Sequence, residues 1–210
     1  MTNPLHEWLE QTRIVPVIVI GDVAHAHPMA EALQRGGVRM LEITLRRAAG
    51  WGAIESLLAR NLGDLRIGAG TVTKKEELLR LKDMGAHFAV SPGFLPELAG
   101  LAREIQLPYL PGVQTMSELM AARAMGFTIV KFFPAEAAGG ISWLKAAHGP
   151  FGDMHFCPTG GITLDKVPSY LLQQNVLAVG VTALTPPELI ATGQWEEITT
   201  RTKNALTGHL

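Results

Sequence analysis

Arg123-Ala124-Met125-Gly126-Phe127-Thr128-Ile129-Val130-Lys131-Phe132-Phe133-Pro134 reads as a helix end, a glycine that turns the chain, and a short strand. The same succession recurs at Gln34-Arg35-Gly36-Gly37-Val38 and at Lys82-Asp83-Met84-Gly85-Ala86. The turning glycines 37, 85 and 126 lie 48 and 41 residues apart, room for two strand-helix units in each interval. Working outward from these anchors gives eight short β-branched or apolar runs, at 14–20, 38–44, 65–70, 86–91, 107–110, 127–133, 154–157 and 176–180. Segments of helical period follow them at 23–35, 51–61, 74–84, 96–105, 117–125, 142–147, 164–173 and 187–206.

Strand and helix alternating eight times is the pattern of an α/β chain whose parallel sheet closes into a (β/α)8 TIM barrel. An open doubly wound sheet would use the same alternation, but eight units and the lack of Gly-x-Gly-x-x-Gly after the first strand argue against it. Residues 2–12 read as an extra N-terminal helix beneath the barrel. No linker or low-complexity segment interrupts the chain, so residues 1–210 are expected to form a single domain.

With 18 basic and 19 acidic side chains and a net charge of −1, no strong field favours nucleic acid or an anionic membrane, so any anion site must be local. A single cysteine, Cys157, rules out an internal disulfide framework and is expected as a small buried residue. The first residues lack the basic and apolar regions of a signal peptide, and no apolar stretch is long enough to cross a bilayer, so a cytoplasmic protein is expected.

In either fold, chemistry belongs at the carboxyl ends of the strands. Lys131 places an amine in an otherwise apolar strand; burial disfavours an ammonium, and a free amine attacks a ketone carbon. The bland alternatives are a stem that covers apolar surface while its head reaches solvent, or an edge-strand charge. Glu42 shares strand parity with Val38 and Met40, so if that face lines the barrel its carboxylate points inward. There it serves either as a proton shuttle for an imine or as half of a structural ion pair. Arg46, beyond the strand tip, suits a substrate carboxylate through two parallel hydrogen bonds, and Arg47 beside it is ambiguous; the alternative for either is a solvated loop charge. Thr71, after Gly68-Ala69-Gly70, offers a hydroxyl to the same group. Thr159-Gly160-Gly161-Ile162-Thr163 ends the seventh strand at a helix start, where backbone N–H groups cradle anions. His25-Ala26-His27 has a metal-like spacing, but residues two apart do not share a helix face. No cofactor and no metal is expected.

Taken together, Val15-Pro16-Val17-Ile18, Leu41-Glu42-Ile43-Thr44-Leu45-Arg46, Gly68-Ala69-Gly70-Thr71-Val72, Lys131-Phe132-Phe133-Pro134-Ala135-Glu136 and Pro158-Thr159-Gly160-Gly161-Ile162 resemble the 2-keto-3-deoxy-6-phosphogluconate (KDPG) and 4-hydroxy-2-oxoglutarate (KHG) aldolases. The resemblance runs in order from about residue 14 to 180. It implies a class I aldolase in which Lys131 forms a Schiff base with the C2 ketone of a 2-keto acid and Glu42 moves protons. It further implies that Arg46 and Thr71 hold the carboxylate with Thr159 nearby, that Pro92 and Phe133 flank the pocket, and that Gly160, Gly161 and Thr182 hold phosphate. Products would be pyruvate with glyceraldehyde 3-phosphate or glyoxylate, and the assembly a homotrimer. Where the family usually reads Gly-Gly-Ser-Trp after the eighth strand, this chain reads Gly180-Val181-Thr182-Ala183. That departure implies a weakened phosphate site and a relative preference for unphosphorylated or shorter 2-keto acids. The rival readings are a phosphosugar isomerase or epimerase on a similar barrel, and a non-catalytic barrel that senses a keto acid or phosphate.

Overall fold

The computed structural model describes residues 4–60 and 62–208. Its parallel strands are β1 (Ile14–Ile18), β2 (Met40–Thr44), β3 (Arg66–Gly70), β4 (Phe88–Val90), β5 (Tyr109–Leu110), β6 (Gly112–Val113), β7 (Ile129–Phe132), β8 (His155–Pro158) and β9 (Val179–Val181). They run in the order β5-β4-β3-β2-β1-β9 and β6-β7-β8. Single bridges, Phe156 with Val176 and Thr159 with Gly180, join β8 to the β9 strand and its approach, and Pro111 covalently links β5 to β6. The ring is therefore closed, an α/β TIM barrel of eight strand positions.

The helices are α1 (Pro4–Thr12), α2 (Ala26–Arg35), α3 (Ala49–Leu58), α4 (Lys75–Asp83), α5 (Pro96–Glu104), α6 (Met116–Ala124), α7 (Gly140–His148), α8 (Val167–Leu171), α9 (Pro187–Ala191) and α10 (Trp195–Thr207). The turning glycines do what the spacing implied: Gly37, Gly85 and Gly126 have φ of 105°, 76° and 84°, left-handed values that end α2, α4 and α6.

Alternation along the strands sorts side chains into two cores. Ile14, Ile18, Leu41, Ile43, Ile67, Val130, Phe132, Phe156 and Val179 pack with the helices. Val15, Met40, Phe88, Val90, Leu110, Ile129, Cys157 and Ala178 fill the barrel interior together with Leu5 and Leu9 of α1. The N-terminal helix thus plugs the amino end, as expected for 2–12; residues 2 and 3 lie outside the described residues.

Several expected boundaries are corrected. The fifth strand was expected over 107–110, but it continues past Pro111 to Val113 as two pieces, because proline has no N–H for the ladder. The Pro111 carbonyl still accepts from Lys131 N at 2.8 Å. The expected helix 187–206 is two helices, parted by Gly193 at φ 65°. The segment 164–173 opens as a 3-10 turn, Leu164–Lys166, since Pro168 cannot donate to Leu164. Likewise 23–35 begins with the 3-10 turn Val23–His25. The expected 51–61 helix is Ala49–Leu58, and Asn61 lies outside the described residues.

Candidate active site

Strand register brings the amine and the carboxylate to one layer inside the barrel. Glu42 pairs with Val17 and Gly68 across β1 and β3, and Lys131 pairs with Gly112 and Cys157 across β6 and β8. Although 89 residues apart, they meet in the interior: Lys131 Nζ donates to Glu42 Oε1 at 3.0 Å and lies 3.4 Å from Oε2. Their side chains are only 6% and 4% exposed, so the snorkelling and edge-strand readings of Lys131 fail. Phe133 adds its ring, with Nζ 5.4 Å from the centroid.

Room for this layer comes from glycine. A Cβ on Gly70 would stand 2.1 Å from Glu42 Oε1, and one on Gly180 would stand 2.2 Å from Thr159 Oγ1. Within the Gly-Ala-Gly run before Thr71, Gly70 thus makes space for Glu42 and Gly68 for the Phe88 ring, a reason the sequence pattern alone does not disclose. Beside Lys131 on the next strand lies Cys157, whose thiol burial pushes up to about 12, against the opposing pull of the Lys131 ammonium. It stays a neutral thiol, buried as expected.

Around the mouth stand groups with unused hydrogen-bonding capacity. Arg46 is exposed in the loop after β2, and neither its guanidinium nor that of Arg47 makes a hydrogen bond or ion pair among the described residues. Both line one open depression with Val19 and Ala48. Thr71, directly after β3, has φ 63°, an unusual backbone for a β-branched residue, and its hydroxyl has no partner among the described residues. Strain of this kind persists where surrounding structure enforces it, commonly at functional sites. Pro92 follows buried Ser91 at the end of β4, and the next carbonyl, Gly93 O, accepts from Gly112 N at 3.3 Å. This bond holds the Pro92 turn beside the layer that carries Lys131.

Thr159 is buried, its hydroxyl donating to Cys157 O at 3.3 Å. Gly160 and Gly161 follow at φ 103° and 78°. The Thr159–Gly180 bridge turns the Gly160 N–H toward Gly180 O, while among the described residues the N–H groups of Gly161 and Ile162 have no acceptor, and two successive free donors form an anion-binding concavity. Thr182 is exposed just past β9, across the Thr159–Gly180 bridge from this turn. Val181 departs from expectation: its side chain is 1% exposed within the sheet-helix core and its φ is not left-handed, so it does not fill the mouth. The side chain that stands where the family has glycine thus lies in the core and not over the turn.

His25 and His27 separate: His25 lies against Trp195, with ring centroids 5.7 Å apart, and His27 Nε2 is 2.8 Å from Ser56 Oγ. Among the described residues no three His, Cys, Asp or Glu side chains gather as metal ligands, and no helix is long and apolar enough to span a membrane. One feature was missed at the sequence level. The Glu136 carboxylate accepts hydrogen bonds from Lys166 Nζ and Tyr170 Oη, and the only sequence signal was its place in the Lys131–Glu136 motif.

Comparison with known proteins agrees with this geometry over nearly the whole chain. The family model "KDPG and KHG aldolase" matches residues 5–201. The 2-dehydro-3-deoxy-phosphogluconate aldolase of Dickeya dadantii is 46% identical over 195 residues, 93% of this chain and 91% of its own. The KHG/KDPG aldolase of Escherichia coli is 42% identical over 195 residues, with 93% and 91% covered. A Legionella pneumophila KDPG aldolase, solved with pyruvate captured at low pH as a covalent carbinolamine intermediate, superposes with a TM-score of 0.93. It shares 41% identity over 97% of this chain and 98% of that one. A buried amine facing a carboxylate inside a closed barrel is what a carbinolamine-forming enzyme requires, and the chain belongs to the KDPG and KHG aldolase family.

Proposed function

We propose that the protein is a class I aldolase that cleaves 2-keto-3-deoxy-6-phosphogluconate to pyruvate and glyceraldehyde 3-phosphate, and 4-hydroxy-2-oxoglutarate to pyruvate and glyoxylate. The observation that carries this reading is the 3.0 Å contact between Lys131 Nζ and Glu42 in a water-poor interior. Glu42 accepts a proton from the ammonium, and the free amine adds to the substrate's C2 carbonyl. The carbinolamine then loses water as Glu42 returns a proton to the departing hydroxyl. The cationic imine draws the electron pair of the C3–C4 bond as Glu42 takes the proton from the C4 hydroxyl. The aldehyde departs, and protonation of the enamine followed by hydrolysis releases pyruvate and restores the amine.

Arg46 and Thr71 bind the C1 carboxylate, Thr159 borders the pyruvate portion, and Pro92 and Phe133 wall the pocket. The Gly160-Gly161 turn, through the free N–H groups of Gly161 and Ile162, and the Thr182 hydroxyl take the distal anion. We further propose a cytoplasmic homotrimer acting as one domain over residues 1–210; a monomer in sedimentation velocity or a secreted location would refute those parts.

Borohydride reduction with pyruvate tests the activity. The expected result is a stable adduct on Lys131 and none on Lys131→Ala; an unmodified Lys131, with turnover surviving its substitution, sinks the proposal and favours an isomerase or a sensor.

A further inference from the structure

We propose that Glu136 is the positioning residue of the anion-binding turn. Its carboxylate, gripped by Lys166 and Tyr170, aims the Gly161 and Ile162 donors of the Gly160-Gly161 turn and so sets the preference for substrates with a distal phosphate. The inference rests on the reading of that turn as the distal-anion site.

The argument begins at the backbone. Ala135 N donates to Thr159 O at 2.8 Å and Glu136 N donates to Gly160 O at 3.1 Å. A trans peptide is planar with its C=O and N–H opposed, so fixing these two carbonyls toward 135 and 136 points the N–H groups of Gly160 and Gly161 the other way. The Gly160 N–H so turned meets Gly180 O across the Thr159–Gly180 bridge, and the Gly161 N–H is left without an acceptor among the described residues. Contact between the two segments is close: a Cβ on Gly161 would lie 2.9 Å from Glu136 Cβ, and one on Gly160 would lie 3.1 Å from the Phe133 ring. The turn therefore rests directly on the 133–136 segment.

The Glu136 side chain pins the other end of the turn. Lys166 closes the 3-10 turn that follows the glycines, and Tyr170 lies on α8 beyond it; both donate to this one carboxylate. Glu136 thus bonds to the turn through its backbone and to the two elements after the turn through its side chain. The Lys166 ammonium also offsets a negative charge that would otherwise oppose an arriving phosphate. Together the two donors hold the Glu136 carboxyl below its usual range.

The test uses the full chain with Glu136→Gln, Lys166→Met and Tyr170→Phe. Substrates are 2-keto-3-deoxy-6-phosphogluconate and unphosphorylated 2-keto-3-deoxygluconate, and inorganic phosphate serves as inhibitor. Loss of one charge-assisted hydrogen bond should raise KM for the phosphorylated substrate and the phosphate Ki on the order of tenfold. The kcat, KM for the unphosphorylated substrate and borohydride trapping at Lys131 should stay within about twofold, the expectation for uniform binding loss. Lys166→Arg should restore affinity. Equal losses on both substrates would mark a merely structural role and overturn the proposal, as would an unchanged or tighter phosphate Ki. Should Glu136→Gln misfold, the Tyr170 and Lys166 variants decide it. Failure of wild-type trapping would instead strike the aldolase reading itself.

Discussion

The ion pair of Lys131 and Glu42 depends on a hydrogen atom elsewhere, the one that serves as side chain at position 70. Glu42 is 3% exposed and its carboxylate occupies the space over Gly70. In Gly70→Ala the new methyl would meet Oε1 at 2.1 Å, so the carboxylate must shift away from Nζ. We expect a stability loss of roughly 1–3 kcal/mol from overpacking. A misplaced proton-transfer group should also lower kcat by about 10²-fold. Urea denaturation together with steady-state kinetics checks both, and a variant with wild-type kcat would show that Glu42 need not face Lys131 for turnover. Lys131 and Glu42 were readable from the sequence because each is a charge in an otherwise apolar strand, whereas the glycines at 160–161, ordinary in any turn, gained meaning only from their place after the seventh strand and in the family motif. The duty of Gly70 was not readable, since it concerns a neighbour 28 residues away that meets it only through the pairing of β2 with β3.

Among the elements, α1 has the clearest division of labour. Leu5 and Leu9 are fully buried against the interior residues at the amino end of the barrel, opposite the mouth where Arg46, Thr71 and the glycine turn stand. Leu9→Ala should therefore cost about 2–5 kcal/mol in urea denaturation, the range for a buried leucine truncation. KM and kcat should hardly change; a substantial loss of kcat in folded enzyme would mean that the floor sets the Lys131 geometry. Strand and helix count was readable because periodicity survives in a single sequence. Element ends were not, because they turn on local backbone chemistry: Pro111 splits the fifth strand, Pro168 forces a 3-10 turn, and Gly193 breaks the last helix. Tyr170 and Lys166 were invisible as partners of Glu136 for a related reason, since α8 had first to be placed beside the glycine turn.

For the molecule as a whole, pH acts through the same floor. His155 on β8 faces His6 of α1, with ring centroids 5.1 Å apart, and Glu10 and Asp153 lie nearby. Burial first, and then the charge of His6, lowers the His155 pKa from the ordinary 6.5. The unfolded chain therefore binds a proton that the folded chain resists. Stability from this site is complete above about pH 6.5 and is lost as pH falls through the lowered folded value. His87 is displaced in the same direction, chiefly by burial. Chemical denaturation at pH 7.5 and 5.5 should show wild-type protein losing more stability than His155→Gln; parallel losses would clear His155 of the effect.

A plugged floor also determines how water moves during turnover. Imine formation releases one water and hydrolysis of the imine consumes one, and with Leu5 and Leu9 sealing the amino end neither can pass beneath Lys131. That leaves the carboxyl end of the barrel, where Arg46, Thr71 and the glycine turn stand, for the keto acid, the aldehyde and both waters. The water that dehydration releases therefore leaves past the bound keto acid, and the water that hydrolysis consumes enters by the way the aldehyde has gone.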